Sequence, residues 1–389
     1  MDDIIDGATY KKTENNFTDA DKAKLDSLTP GVDGNWVFVG NDTNDYSTLG
    51  EAITAGEKDI IIRDNYVSIE NDSIVVPDGI RILGIDRDTS IVRQANPGKD
   101  LLQIYANGTN IQNVTWDCGT NSAQAAVVIG DGSTAGTPNV SVGNDNVFKG
   151  NRVLGNPTVA LGSGIFALFV AGASYSPGAD TLTAFDNENL QSGNIIEDNI
   201  IESAWEGDGA SFSLQKNGSI SNNKVVGTRI AFYMCVNSQC SNNDVVDSAS
   251  NGVFVATPHK SSIISGNTVS DSVNSGITIQ PQVEHTPVTD DQKRNFMTIL
   301  GNTVRRSGNH GLEINNSNNN AIGSNTFDQV ANHGIYLQQC KENTVDGNTI
   351  INPRYTNVTP RGSGIYMVSN VIDNVISDNT ITDTLGFAQ

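Results

Sequence analysis

Apolar and polar residues follow one another along this chain in a phrase that returns eight times between Ile196 and Ile381. It consists of an apolar residue, two small or polar residues, an asparagine, and a second apolar residue two places further on. The instances read IEDNII, ISNNKV, CSNNDV, ISGNTV, ILGNTV, IGSNTF, VDGNTI and ISDNTI. Their asparagines, Asn199, Asn223, Asn243, Asn267, Asn302, Asn325, Asn348 and Asn379, are spaced by 24, 20, 24, 35, 23, 23 and 31 residues. A period near 23 predicts a solenoid in which each repeat forms one coil.

A second beat follows about nine residues after most of those asparagines, where a glycine opens an alternating segment: Gly252-Val-Phe-Val, Gly276-Ile-Thr-Ile, Gly311-Leu-Glu-Ile, Gly334-Ile-Tyr-Leu and Gly364-Ile-Tyr-Met. Each coil is therefore expected to carry at least two short strands. Period-2 alternation turns Ile, Val and Leu inward and leaves Phe254, Thr278, Glu313, Tyr336 and Tyr366 outward. The asparagine suits a left-handed turn between strands, and its amide can bond the identical amide one coil above and below. Such a ladder is structural, so none of the eight is read as a ligand site.

The chain has 389 residues, and one repeat array accounts for most of them. Aromatics make up only 6%, which points to an aliphatic core. A net charge of -21 argues against nucleic acid as a partner. The four cysteines show no metal-ligand spacing; Cys240 takes the core slot that Ile220 and Ile264 fill in neighbouring coils, and free buried thiols are expected. The opening MDDIIDG has neither the basic start nor the apolar run of a signal peptide, and the longest apolar stretch, 165–173, is too short to span a bilayer. No cofactor and no metal are expected; the oxygen-rich 41–45 lacks the glycine and terminal glutamate of a calcium loop.

Three segments divide the chain: a polar connector over 1–35, a capping segment over 36–57 and a strand stack over 58–389. The connector holds a capping-box start at Thr18. The capping segment contains a small amphipathic helix within 45–56, placed to cover the open end of the solenoid.

Residues 46–84, with YSTLGEAI, IIIRDNY and VPDGIRILG, resemble the opening of pectate-lyase-like right-handed parallel β-helices. The asparagine-rich coils resemble the repeats of that superfamily. Residues 9–28 resemble a connector of bacteriophage tail-fibre and tailspike proteins. These resemblances imply an all-β, single-stranded right-handed parallel β-helix in a virion tail. They also imply a homotrimer that binds bacterial surface polysaccharide and joins other tail or baseplate proteins through its N-terminus. The Asp-Pro-His motif expected of an alginate epimerase on this fold is absent.

Candidate chemistry follows from the loops. Excursions over 171–192 and 281–296 leave the coil after the same strand, four coil steps apart, or about 19 Å at ~4.8 Å per coil. Between them lie Trp205, Glu206, Asp208, Arg229, Tyr233, Phe254, His259 and Lys260. The interval from Asn199 to Gly209 is ten residues instead of nine, so a bulge is expected around Trp205–Asp208. Glu206 and Asp208 form the expected acid and base of a glycoside hydrolase, assisted by Arg229. Trp205, Tyr233 and Phe254 are expected to stack on sugars, with His259 and Lys260 as a base or a carboxylate clamp. A second cluster, His310, Glu313, His333 and Tyr336, offers a base for β-elimination on a uronate, with Arg305 or Arg306 as the neutralising cation. Asn251, Ser275 and Ser363 occupy the same column as the histidines, so a purely structural polar ladder is the competing reading there. Hydrolase, lyase and non-enzymatic receptor-binding spike all remain open from sequence, the hydrolase being preferred.

Overall fold

The computed structural model describes residues 36–96, 99–118, 125–130, 140–155, 166–171 (backbone only), 185–186, 188–202, 208–281, 293–353 and 362–383. Within them the chain winds through three parallel sheets of 13, 12 and 11 strands, here sheets 1, 2 and 3. One coil runs through Gln239–Ser241 in sheet 1, Asp244–Val246 in sheet 2 and Val253–Thr257 in sheet 3. The repeated phrase therefore straddles two strands: the apolar residue before the asparagine belongs to sheet 1 and the one after it to sheet 2. The fold is a right-handed parallel β-helix.

Register follows the repeat. Ile220, Cys240 and Ile264 are successive partners in sheet 1, as are Val225, Val245 and Val269 in sheet 2. These inward side chains form one continuous core. It is mainly aliphatic, but Trp116, Phe148, Phe212 and Phe327 are fully buried within it. All four cysteines are free and buried, and burial pushes the Cys235 and Cys240 thiols up to about 12.

The asparagines form the expected ladder. The Asn243 main-chain N–H and side-chain amide both donate to Asn267 Oδ1, at 3.0 and 2.9 Å, and the same amide donates back to Ile220 O at 2.9 Å. Each amide thus ties three coils, and a group that would be costly to bury alone is fully bonded. The column begins below the eight repeats, where Asn151 N–H donates to Asn199 Oδ1 at 2.8 Å. A second column, Asn320, Asn343 and Asn374, lines the entry to sheet 1.

One part of the sequence reading is corrected. The left-handed turn falls one residue before the ladder position, at Asp198, Asn222, Asn242, Ser324 and Asp378, with glycine at 266, 301 and 347. The ladder asparagine is therefore selected by its amide and not by its backbone angle. The glycines opening the sheet 3 strands also serve a different need from turn freedom. A Cβ on Gly276 would lie 2.2 Å from Val304 Cγ1, so that corner closes only around hydrogen.

Helix α1, Leu49–Thr54, starts at the Thr48 N-cap, which accepts from Glu51 N–H. It buries Leu49 and Ala52 against the first strands, and the Leu49 N–H donates to the buried Glu70 carboxylate at 3.0 Å. The apolar end of the stack is covered there, as expected. Residues 1–35, with the Thr18 capping box, lie outside the described residues.

The ladder makes a graded prediction. Asn267→Ala removes the acceptor of two Asn243 donors and the donor to Cys240 O and Asn302 Oδ1, all buried. It should cost about 3 kcal/mol or more. Asn379→Ala, in the half-exposed last coil, should cost under about 1 kcal/mol. Denaturant unfolding of both variants measures this, and equal losses would contradict a ladder whose strength comes from burial.

Candidate functional site

The extra residue before Gly209 produces the expected bulge. Pairing between the strands Asp208–Ser213 and Arg229–Tyr233 shifts between Asp208 and Ala210. Asp208 is thereby turned into the corner between sheets 2 and 3, where it is 0% exposed. Its partner in register is Arg229, which stands where the following coil has Gly252.

Asp208 is held on both oxygens. Arg229 Nε donates to Oδ1 at 2.7 Å, and Tyr233 Oη donates to Oδ2 at 2.9 Å. Arg229 Nη2 donates in turn to Tyr233 Oη at 3.0 Å, and Nη1 reaches Ser250 Oγ at 3.4 Å. The guanidinium lies 4.6 Å from the centre of the Phe254 ring, which is tilted against Tyr233 at 5.8 Å. Carboxylate, guanidinium, phenol and ring thus form one network across three coils. Arg229, with 17% of its side chain exposed, is the member through which it meets solvent.

This flank differs from the open trough expected from sequence. Tyr233 and Phe254 point outward from sheet 3 but are 3% and 7% exposed, so they buttress the network and present no free face for stacking. Alternation reveals which side a residue takes and not what lies over it. The hydroxyls of Ser211 and Thr278, on the same outward column, are buried and have no hydrogen-bond partner among the described residues. Trp205 and Glu206 lie outside the described residues, as do most of the two excursions that were to flank the site.

His259 is corrected outright. It is 1% exposed and turned into the coil, where its ring meets Phe232 edge-on at 6.3 Å and Nδ1 accepts from Cys235 N–H at 3.2 Å. Burial pushes it down to about 3, which makes it a neutral core residue and not a base facing substrate. The corner after Pro258 breaks the alternation on which its outward placement rested. Lys260 does remain at the surface, with Nζ 4.9 Å from the Phe185 ring centre and 3.4 Å from Asp186 O.

The second cluster matches the ladder reading. His310 N–H donates to Ser275 Oγ, His333 N–H to His310 Nδ1, and Ser363 N–H to His333 Nδ1, at 3.3, 3.3 and 2.9 Å. Each imidazole thus replaces serine as an acceptor for the next coil. His310 stacks on Tyr336 at 4.5 Å and His333 on Tyr366 at 4.4 Å. Glu313 accepts from Ser275 Oγ at 2.8 Å. Arg306, expected as a neutralising cation, makes a bidentate pair with Asp271. Tyr336 and Tyr366 form the open part of the outer face of sheet 3, and Tyr366 is 41% exposed.

Among the described residues no group of three or more His, Cys, Asp or Glu side chains is placed to hold a metal, and no helix is long and apolar enough to cross a membrane. Residues 284–388 match the family described as Right handed beta helix region. No curated protein matches the sequence. Among solved structures the chain is similar to the Dettilon tailspike protein, with a TM-score of 0.59 and 15% identity over 90% of this chain and 68% of that one. It is also similar to the A-module of the Azotobacter vinelandii mannuronan C-5 epimerase AlgE6, with a TM-score of 0.57 and 14% identity over 88% and 82%. A third similarity is to the catalytic domain of a GH87 alpha-1,3-glucanase in complex with nigerose, with a TM-score of 0.53 and 13% identity over 91% and 68%. At these identities the likeness establishes the fold.

The buried histidines set an acid limit. Burial lowers His259 and, together with His333, His310, each to about 3, against 6.5 for a free imidazole. The unfolded chain takes up protons below 6.5 that the folded chain refuses, so their stability contribution is whole above that pH and is lost toward 3. Together they should erode on the order of 2 kcal/mol per pH unit below about pH 6. Unfolding midpoints measured across that range should fall steeply, and a His259→Asn/His310→Asn variant should flatten the slope. An unchanged slope would refute the assignment.

Proposed function

We propose that this chain is a tailspike-type protein that binds a bacterial surface polysaccharide along the outer face of sheet 3 and hydrolyses it beside Asp208. The observation that carries the reading is the buried Asp208–Arg229–Tyr233 network at the bulge. A buried ion pair adds little net stability over apolar packing, and a solenoid corner that elsewhere takes glycine has no structural need for one.

In this reading Asp208 is the carboxylate that activates water and Glu206, two residues earlier, is the acid that protonates the leaving oxygen. Arg229 orients Asp208 and meets the substrate from the solvent side. The Glu313 carboxylate and the open rings of Tyr336 and Tyr366, four, five and six coils from Asp208, or about 19 to 29 Å along the axis at ~4.8 Å per coil, would hold the more distant sugars. Hydrolysis of this kind draws on water alone and needs no cofactor. Assembly as a homotrimer and attachment to a tail or baseplate through residues 1–35 belong to the same proposal.

A second reading rests on one hydrogen bond. With Arg229 Nη2 donating to Tyr233 Oη, the phenol would act as the base and the guanidinium as a uronate clamp, which is the pairing that β-elimination uses. Incubation with the capsule of a susceptible host separates the two, since hydrolysis yields reducing ends alone while elimination adds the ultraviolet absorbance of an unsaturated uronate. Asp208→Asn and Glu206→Gln should each lower the cleavage rate by about a hundredfold or more while leaving the folded spectrum intact. Full cleavage by both variants would overturn the hydrolytic assignment, and binding without either product would leave a recognition spike.

A further inference from the structure

One column of acceptors in this molecule changes its chemistry with pH. At the corner between sheets 2 and 3 a main-chain N–H of each coil donates to a side chain one coil below: Ser275 to Asn251 Oδ1, His310 to Ser275 Oγ, His333 to His310 Nδ1 and Ser363 to His333 Nδ1. The amide and hydroxyl oxygens keep their lone pairs across the physiological range. An imidazole nitrogen does not, because protonation turns it from acceptor into donor and leaves two donors facing each other.

The last link of the column is the sensitive one. His310 is 7% exposed and is pushed down to about 3 by burial and by His333, so a proton entering the pair goes to the half-buried His333. Tyr366 stacks on that ring at 4.4 Å and 8°, Tyr336 lies 5.9 Å from it, and Glu313 stands one coil below Tyr336 with its carboxylate on Ser275 Oγ. Aromatic faces and a carboxylate favour an imidazolium. Of the cations at this corner, Arg306 is paired with Asp271 and Arg305 is exposed on sheet 2, in register with Asp328. Arg354 and Arg361, in the segment leading to Ser363, lie outside the described residues. Protonation is thus opposed chiefly by the hydrogen bond itself, in which Nδ1 holds the Ser363 N–H at 2.9 Å.

That bond fixes the entry to the last strand of sheet 3. Ser363 and Gly364 lead into Ile365–Val368, an edge strand paired on one side with Ile335–Gln338. Strands at an edge open locally at lower cost than those inside a sheet. We propose that His333 is a pH-sensitive latch on this strand. Neutral, it holds Ser363 and keeps the Tyr366 ring stacked in place; protonated, it releases both. Latching requires a bare Nδ1, so the latch is whole above the ordinary imidazole range near about 6.5 and weakens as pH falls through it. The change is confined to one strand, in contrast to the global loss that the burial of His259 and His310 brings toward pH 3. Its consequence for a ligand rests on the polysaccharide reading, in which Tyr366 holds a distant sugar that would be gripped at neutral pH and let go in acid.

Residue-resolved hydrogen exchange of the full chain at about pH 7.5 and about pH 5.5, corrected for the intrinsic pH dependence of exchange, tests the latch. Protection at Ser363 and across Ile365–Val368 should fall by at least about tenfold in acid while that of Val253–Thr257 holds. His333→Asn supplies an acceptor that does not titrate, as Asn251 does for Ser275, so this variant should keep its protection at both pH values. The chain has four histidines, so selective isotope labelling also reads the His333 ring directly in the wild type, with Nδ1 bare at the higher pH and protonated at the lower. Unchanged wild-type protection overturns the proposal, as does a loss that persists in the folded His333→Asn chain or a ring that carries its proton on Nδ1 at the higher pH. Affinity for the polysaccharide of a susceptible host, measured at the same two pH values, reports on the glycan reading separately. An affinity that does not follow the exchange leaves the latch standing and removes the sugar from Tyr366.

Discussion

The stacking of identical buried amides from coil to coil is the constraint from which the rest of this structure follows. A parallel ladder alone would allow a strand to slide along its neighbour, because its hydrogen bonds are evenly spaced. The asparagine column forbids the slide, since a shift of one residue would leave each buried amide facing a side chain that cannot bond to it. Once Asn243, Asn267 and Asn302 are aligned, the flanking apolar residues must stack on one another, and the outward residues must form straight columns.

That regularity changes how departures should be read. In a globular domain an odd residue at a turn has many local explanations, but here every slot has copies one coil away for comparison. Arg229 stands in the glycine slot of the sheet 2 to sheet 3 corner, and Phe296 stands in the asparagine slot before sheet 1. The histidines are the instructive contrast. His310 and His333 look equally exceptional in sequence, yet their ring nitrogens accept the same main-chain N–H groups that serine and asparagine accept elsewhere in that column. They preserve the bonding pattern, whereas Arg229 and Phe296 break theirs.

The fold was legible in the sequence because its determinants are local and repeated. The asparagine period gave the coil, the alternation gave the inward face, and the ten-residue interval before Gly209 gave the bulge that the register shift at Asp208 now locates. The third strand of each coil was harder to see, since three residues with one apolar centre leave no periodic trace of their own. The candidate site was legible in its membership and not in its state. Asp208, Arg229, Tyr233 and Phe254 do come together, but burial on both faces of a sheet depends on what crosses above it, which alternation does not encode. His259 was misplaced for a related reason, because its column ends at a corner where alternation no longer applies.

The two exceptions also differ in what they demand energetically. Arg229 is held within the chain by a carboxylate, a phenol, a hydroxyl and a ring. Its hydrogen bonds offset the cost of desolvating the pair, and the network is held in place by the chain itself. Phe296 has the opposite character. Its ring is exposed and its backbone sits at positive φ.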